Sequence, residues 1–416
     1  MKLLILNSGS SSQKTSLYDF PSAPPSTAPP PLWEGKLDWR DGRATLEAHG
    51  KDATRKDEVQ ATGPSDATPR LLEFLTAGPT AVINRKSEID AVGHRIVNGG
   101  AEYTQPVFIT PAVKTAIEKM AEFAPLHNKA GLEGIALVER IFGPQTPQIA
   151  VFDTGFHRHL PLSAAVYPGP YEWFAQGIRR YGFHGINHQY VSERAAQLLG
   201  KNLMALKLVS CHLGNGCSLA AVRDGRSIDT TMGFTPLEGL MMGTRSGDVD
   251  PSLISFLAHE ERLEMDEVMT LLEKRSGLLG VSGVSLDTRV LMREYDKNNR
   301  VELAMEMFAY RLVKAIGAYL AALGGARALI FGGGIAENTP LVRERVCESL
   351  RWCGLEMDYE QNRMLIDIEG RLSTEDSPMQ AYVIPVEETL EIAHECVQVM
   401  GGGDAHRARE KQAIAL

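Results

Sequence analysis

The chain lacks paired cysteines, an excess of positive charge and any long apolar run, and each lack excludes something. Its five cysteines, Cys211, Cys217, Cys347, Cys353 and Cys396, are odd in number and show no C-x-x-C spacing. That argues against a disulfide framework or a zinc site and for a reducing compartment. The net charge of −9 argues against nucleic acid or an anionic membrane as the main partner. It leaves an anionic small molecule open, because a local arginine cluster overrides the net field. No apolar stretch reaches the roughly 20 residues that span a bilayer. The start, MKLLILNSGS, turns polar too early for a signal peptide. A cytoplasmic protein is expected. At 416 residues the chain is too long for one ordinary core, so two domains are expected.

The densest stretch runs from Leu206 to Pro251. LKLV and SLAAV read as apolar strands, and His212-Leu213-Gly214-Asn215-Gly216 between them reads as a tight turn. Asn-Gly between apolar runs is a hairpin signal, since both residues tolerate positive φ. Glycines also let backbone N–H groups approach phosphate oxygens. An ordinary hairpin explains the same residues. Gly243-Thr244-Arg245-Ser246-Gly247-Asp248 follows, an arginine in a glycine-rich turn where a merely solvated arginine is not expected. Asp250-Pro251 reads as a helix N-cap with proline at the first helical position.

A second strand–turn–strand unit opens the chain: Lys2 to Leu6, the small polar run Asn7 to Lys14, then Thr15 to Tyr18. The two hairpins, about half the chain apart, suggest a duplicated architecture with ligand between the halves; two unrelated hairpins remain the alternative. GSSSQKT lacks the second glycine of a P-loop and is not read as one. Residues 21–31 form a Pro-rich loop. The region to Gly63 reads as exposed antiparallel strands. Ile89 to Gly93 reads as a buried strand ending in the charged pair His94-Arg95, where open α/β sheets place ligand residues. Thr110-Pro111 caps a helix, and His127 heads another. Gln148 to Phe152 is a strand ending in Asp153-Thr154-Gly155. Arg180 to Gly185 places His184 before a helix from about Asn187. Ser282 to Arg289 reads as a small-residue loop. Glu302 to Leu323 is a helix too apolar for a surface position, hence core or oligomer interface. Ala328 to Phe331 is a strand entering Gly332-Gly333-Gly334, with a helix from Thr339-Pro340. This is how α/β folds hold a nucleotide. Glu387-Glu388 heads the last helix.

Together NSGSSSQK, GHRIV, VFDTGF, RYGFHG, HLGNG, TPLEGLMMGTRSGDVDP, DTR and FGGGIAEN, in this order, resemble the acetate kinase family (the acetate/propionate kinases). The resemblance implies an α/β chain with the duplicated two-domain, actin-like or sugar-kinase-like fold and an interdomain active-site cleft. The implied division is 1–153 plus 388–416 and a nucleotide-binding domain 154–387. It implies reversible phosphoryl transfer between ATP and acetate, giving acetyl phosphate and ADP, with Mg2+ or alternatively Mn2+, in a homodimer. A propionate or butyrate kinase and a non-catalytic actin-like nucleotide module are the alternatives.

By the same resemblance Asp153, His184, Arg95 and Arg245 are catalytic. Arg95, Val97, Leu126, Phe183 and Pro236 bind the acid. Lys14, His212, Leu213, Gly214, Asn215, Gly216, Asp287, Thr288, Arg289, Gly333, Gly334, Ile335, Ala336 and Glu337 bind the nucleotide. Asn7 and Glu388 hold the metal. The residue types suit this chemistry: a transferring phosphoryl group spreads negative charge, and the arginine fork matches carboxylate and phosphate. Three positions depart from the family pattern: Asn98 replaces a histidine, Asn128-Lys129-Ala130 replaces Asn-Pro-Pro, and Val386-Glu387-Glu388-Thr389 replaces Thr-Asn-Glu-Glu. The register from Pro385 to the apolar Leu390 and Ile392 selects Glu388 over Glu387 as the metal residue.

Overall fold

In the computed structural model the described residues are 1–9, 12–21, 29–121 and 125–401, without the side chains of 125–127. Most of the Pro-rich loop therefore lies outside them, as do the side chains of Leu126 and His127. The chain divides into Met1–Gly155 with Glu387–Leu416, and Phe156–Val386.

The first unit begins with β1 (Lys2–Ser8) and β2 (Ser12–Asp19), an antiparallel hairpin with Asn7 opposite Lys14. Three antiparallel strands follow outward: β3 (Trp33–Arg40), β4 (Arg43–His49) and β5 (Thr54–Gln60). On the other side of β1 lie β6 (Ala91–Ile96), β7 (Val107–Phe108) and β8 (Gln148–Phe152). The order is β5-β4-β3-β2-β1-β6-β8-β7, with β1, β6 and β8 parallel. All five residues of β8 are buried, as in a strand covered on both faces. The stretch up to Gly63 is less exposed than its polarity suggests. Trp33 and Leu37 of β3 and Leu46 of β4 alternate inward and pack with Leu71 and Leu72 of the helix Pro64–Glu73. Thr110 caps the helix Pro111–Met120 as expected, its hydroxyl accepting from Val113 N at 3.3 Å. The helix Glu388–Met400 lies against β6 at Gly93, where a Cβ would fall 2.6 Å from Cys396 Sγ.

His94 is not half of a charged pair. Its ring is buried and its Nε2 meets Gln148 Oε1 at 2.7 Å. Burial pushes its pKa down to about 4, against the opposing pull of Gln148 and Glu139. The folded ring stays neutral where the unfolded one, near 6.5, begins to protonate. Its contribution to stability is therefore full above pH 6.5 and is lost as pH falls toward 4, by about 3 kcal/mol. Chemical denaturation across that window should show stability falling with pH, and His94→Gln should flatten the slope. An unchanged slope in that variant would contradict the assignment.

The second unit repeats the arrangement. β9 (Lys207–Leu213) and β10 (Cys217–Arg223) form an antiparallel hairpin, and β11 (Arg226–Thr230) continues that edge. With β12 (Ala328–Gly332), β13 (Gly370–Arg371) and β14 (Gln380–Val383) the order is β11-β10-β9-β12-β14-β13. β9, β12 and β14 are parallel. β11-β10-β9-β12-β14 thus reproduces β3-β2-β1-β6-β8 in order and direction, so the resemblance of the two hairpins is architectural. The chain is α/β with a duplicated two-domain fold.

The helix Gly185–Leu198 starts two residues before Asn187. Asn299–Leu323 buries Val301, Met305, Phe308, Leu312 and Ile316 on one face and leaves Leu303 and Tyr310 exposed, which accounts for its apolar character as mainly core. Among the described residues no helix is long and apolar enough to cross a membrane.

Candidate active site

In the first unit three neighbouring parallel strands end at one edge of the sheet. Leu6 pairs with His94 and Arg95 with Val151, so Asn7, Arg95 and Asp153 share a face at the carboxyl ends of β1, β6 and β8. Arg95 Nη2 donates to Asp153 Oδ2 at 2.8 Å. The Asp153 side chain is only 1% exposed and that of Arg95 16%, so this is a desolvated pair rather than a surface one. Burial works to lower the Arg95 pKa, but Asp153 and Glu388 together outweigh it and hold the guanidinium firmly charged. Asn7 Nδ2 donates to Glu388 Oε2 at 2.7 Å. Glu387, one residue earlier, is exposed. Ile392 is buried as the register argument requires, whereas Leu390 is half-buried and Thr389 and Glu391 fill the core positions. Lys14 is exposed and pairs directly with Asn7 across the hairpin, on the same face of the sheet.

The Asn7–Glu388 pair fits a hard cation. With its amide nitrogen bonded to Glu388, Asn7 keeps its carbonyl oxygen for a metal, and Glu388 supplies a carboxylate. Among the described residues no group of three or more His, Cys, Asp and Glu is arranged to hold a metal alone. Mg2+ needs none, since it binds through one or two carboxylates plus waters and phosphate oxygens.

In the second unit the HLGNG hairpin closes through Gly214 N, which donates to Gly216 O at 3.0 Å. Neither Asn215 nor its flanking glycines adopts the left-handed region, so the expected reason for Asn-Gly does not hold. The glycines provide space instead. A Cβ on Gly216 would lie 3.2 Å from His184 Nε2 and 3.3 Å from Arg245 Nη1. His184, Gly216 and Arg245 therefore converge. His184 sits at φ 57 as N-cap of its helix and stacks on His212, with centroids 4.1 Å apart. Asn187 Nδ2 meets His212 Nδ1 at 2.7 Å.

Arg245 is largely desolvated, and burial lowers its pKa against Cys217 and Glu273. Its guanidinium donates to the Pro236 carbonyl at 3.0 Å and meets Met242 Sδ at 3.5 Å, and among the described residues it forms no ion pair. A buried guanidinium without a carboxylate is costly unless an anion completes it.

The three nucleotide segments lie together. Gly333, at φ +90, passes so close to β9 that a Cβ would be 2.8 Å from Leu213 backbone. Asp287-Thr288-Arg289 is not the free end of a loop: Asp287 caps the helix Thr288–Glu294, and Thr288 Oγ1 meets Thr339 Oγ1 at 2.9 Å. Arg289 folds back on Asp287, Nη2 to Oδ2 at 2.7 Å, which lowers the Asp287 pKa. Ile335 and Ala336 are buried in the short helix Gly334–Asn338. The Glu337 carboxylate is committed to backbone, accepting from Gly333 N at 2.6 Å and Val386 N at 3.2 Å.

Two arginines were given no role from the sequence. Arg343 is fully buried and all five of its N–H groups are used. They bind the carbonyls of Ala336, Glu337, Asn362 and Leu365 and the Asn362 side chain. This clamps the glycine turn. Its signal was an arginine inside the apolar stripe Val342, Val346, Cys347. Arg180 ties the carbonyls of Thr230, Thr231 and Met232 to Glu238, which also accepts from Tyr167. This brace fixes the loop carrying Pro236. Of the acid-binding residues, Val97 is buried just beyond Arg95, Phe183 is fully buried, and Leu126 lies outside the described side chains. The departure at Asn98 serves backbone: its Oδ1 accepts from Gly100 N at 2.8 Å, while the side chain of the unchanged Asn128 holds the Asn98 backbone, Oδ1 accepting from Asn98 N at 3.1 Å and Nδ2 donating to Asn98 O at 2.9 Å.

Comparison with known proteins places this geometry. The Acetokinase family pattern matches residues 2–394. A protein named acetate kinase from Cyanothece sp. is 50% identical over 404 residues, covering 96% of this chain and 98% of its own. One of the same name from Gloeobacter violaceus is 50% identical over 402 residues, covering 96% and 99%. Among solved structures, Porphyromonas gingivalis acetate kinase superposes with a TM-score of 0.87 at 38% identity, covering 96% and 99%. A Francisella tularensis propionate kinase gives 0.85 at 35%, covering 95% and 98%. Likeness of this extent runs through both hairpins and both arginine sites, and on it the chain belongs to the acetokinase family.

Proposed function

We propose that this chain catalyses reversible transfer of the γ-phosphoryl group between ATP and acetate, giving acetyl phosphate and ADP. The observation that carries this reading is Arg245, a largely desolvated cation that forms no ion pair among the described residues and lies beside His184 and Gly216. In the forward direction an acetate oxygen bonds to the γ-phosphorus while the bond to the ADP oxygen breaks. Acetate is already ionised near neutral pH, so no proton need be removed and no strong base is required. Asp153 acts instead by holding Arg95, and through it the carboxylate being phosphorylated. Arg245 and the His184 ring meet charge developing on the phosphoryl oxygens, where positioning and electrostatics supply most of the catalysis.

Backbone N–H groups of His212–Gly216 and Gly333–Gly334 suit phosphate oxygens, and the Asp287–Arg289 segment beside them suits the nucleoside. Asn7 and Glu388 would hold Mg2+, which would neutralise phosphate charge. Manganese, with the same ligand preference, would substitute. Exposed Phe256, Leu303 and Tyr310 in the second unit supply apolar surface for a second copy of the chain, in keeping with a homodimer. Five free cysteines suit the reducing cytoplasm.

Val97, Leu126, Phe183 and Pro236 are assigned to the acyl group, and each misfitted methylene in such a pocket is worth about 1–3 kcal/mol. Hydroxamate formation from ATP, hydroxylamine and each acid should be fastest with acetate, slower with propionate and poor with butyrate. Butyrate turnover equal to that of acetate would move the assignment to a longer acid.

A further inference from the structure

The cluster behind His184 does more than bury a histidine. Ser218 Oγ lies 2.8 Å from His184 Nδ1 and 2.8 Å from His188 Nε2. The other ring nitrogen of His188, Nδ1, lies 2.8 Å from Ser210 Oγ. Ser210 on β9, Ser218 on β10 and His188 on the helix headed by His184 are all fully buried. The chain His184–Ser218–His188–Ser210 thus runs from the partly exposed His184 ring into the buried interface of helix and sheet.

Each link has one proton to place. Burial drives the His188 pKa well down, with His157 and His212 acting in the same direction, so the ring is neutral and carries one N–H. A serine hydroxyl has one hydrogen and donates only once. It could accept from both rings, but among the described residues Ser218 Oγ meets only these two nitrogens, so its own hydrogen would then be left unbonded in the core, and two orders remain. In one, His188 Nε2–H donates to Ser218, Ser218 donates to His184 Nδ1, and the His184 hydrogen must sit on Nε2. In the other, every bond is reversed and Nδ1 of His184 holds the hydrogen. His184 Nε2 is the atom facing Gly216 and Arg245. An anionic oxygen bound there calls for a donor, which only the first order supplies from a neutral ring. A neutral donor also avoids a second cation beside Arg245 and against the stacked His212.

We propose that Ser218 and His188 are positioning residues that fix His184 as its Nε2–H tautomer, so that it presents a hydrogen-bond donor to the transferring phosphoryl group without taking up a proton. The catalytic half of this statement rests on the function proposed above; the tautomer does not.

Long-range 1H–15N spectra of the full-length, 15N-histidine-labelled protein near neutral pH test it, with the His184 signals assigned by their loss in His184→Gln. The expected spectrum has His184 Nε2 protonated and Nδ1 bare. In Ser218→Ala the His184 ring should become a mixture of tautomers, and kcat should fall about ten-fold while KM for acetate and for ATP stays within about two-fold. Ser218→Thr, which keeps the hydroxyl, should restore most of kcat. A protonated Nδ1 in the wild type overturns the proposal, and this reading stands even if Ser218→Ala does not fold. So does a Ser218→Ala variant with unchanged tautomer or unchanged kcat. Wild-type kcat in His184→Ala would instead remove the catalytic reading while leaving the tautomer result intact.

Discussion

Arg245→Ala is expected to lower kcat/KM by about three orders of magnitude, close to 4 kcal/mol of transition-state stabilisation. The guanidinium is desolvated, forms no ion pair among the described residues, and converges with His184 on Gly216. Its hydrogen bonds to Pro236 and Met242 orient it without neutralising it. On the proposed reading its counter-ion is substrate, so removing this half-buried charge should leave the folded protein no less stable, and thermal melting without ligand should stay near the wild type. Arg95→Ala should lose activity to a similar extent but differs in stability. From the sequence, neither arginine belongs to a core and both substitutions leave folding intact. The structure corrects this for Arg95, because its loss takes the ion-pair partner away from the nearly inaccessible Asp153 carboxylate. Breaking such a pair from one side costs about 3–5 kcal/mol. Steady-state kinetics with melting curves for both variants separate the two cases. Near-normal turnover in Arg245→Ala would remove it from the site.

Glu388→Gln is expected to raise the half-saturating Mg2+ concentration about 10–100-fold and to cut turnover. Glutamine keeps an oxygen able to accept from Asn7 Nδ2, so the 2.7 Å contact and the start of the last helix survive. Only the charge is lost, from the residue that sits against Asn7 and adds to the field at Arg95. Glu387→Gln should change little, since Glu387 is exposed and side chains one residue apart at a helix start do not face the same way. Magnesium titrations of both variants decide between them. A larger defect in Glu387→Gln would show that the metal role belongs to the other carboxylate.

Much of the fold could be read because single residues carry local rules. Thr110 and Asp250 each accept from the backbone of the helix they precede, and Gln148–Phe152 forms the expected strand. The duplication was visible only as two similar turns; its proof, the repeated strand order, needed pairing between distant segments. What stayed hidden depends on contacts without a sequence period. His94 and Arg95 are adjacent, yet strand alternation sends one into the core as a neutral ring and the other to the edge as a cation. Arg343 and Arg180 work through backbone carbonyls, which leave no trace in side-chain spacing. Asn215 fits a turn for a reason the dipeptide does not announce: Gly243 packs so closely on it that a Cβ would be 2.4 Å from Asn215 Oδ1.

The most direct measurement is 31P NMR of the purified protein with ATP, acetate and Mg2+. The expected result is an acetyl phosphate resonance rising in step with ADP, and ATP regenerated when ADP and acetyl phosphate are supplied instead. ADP appearing with inorganic phosphate alone, at a rate independent of acetate, would contradict the assignment of this chain as a carboxylate phosphotransferase.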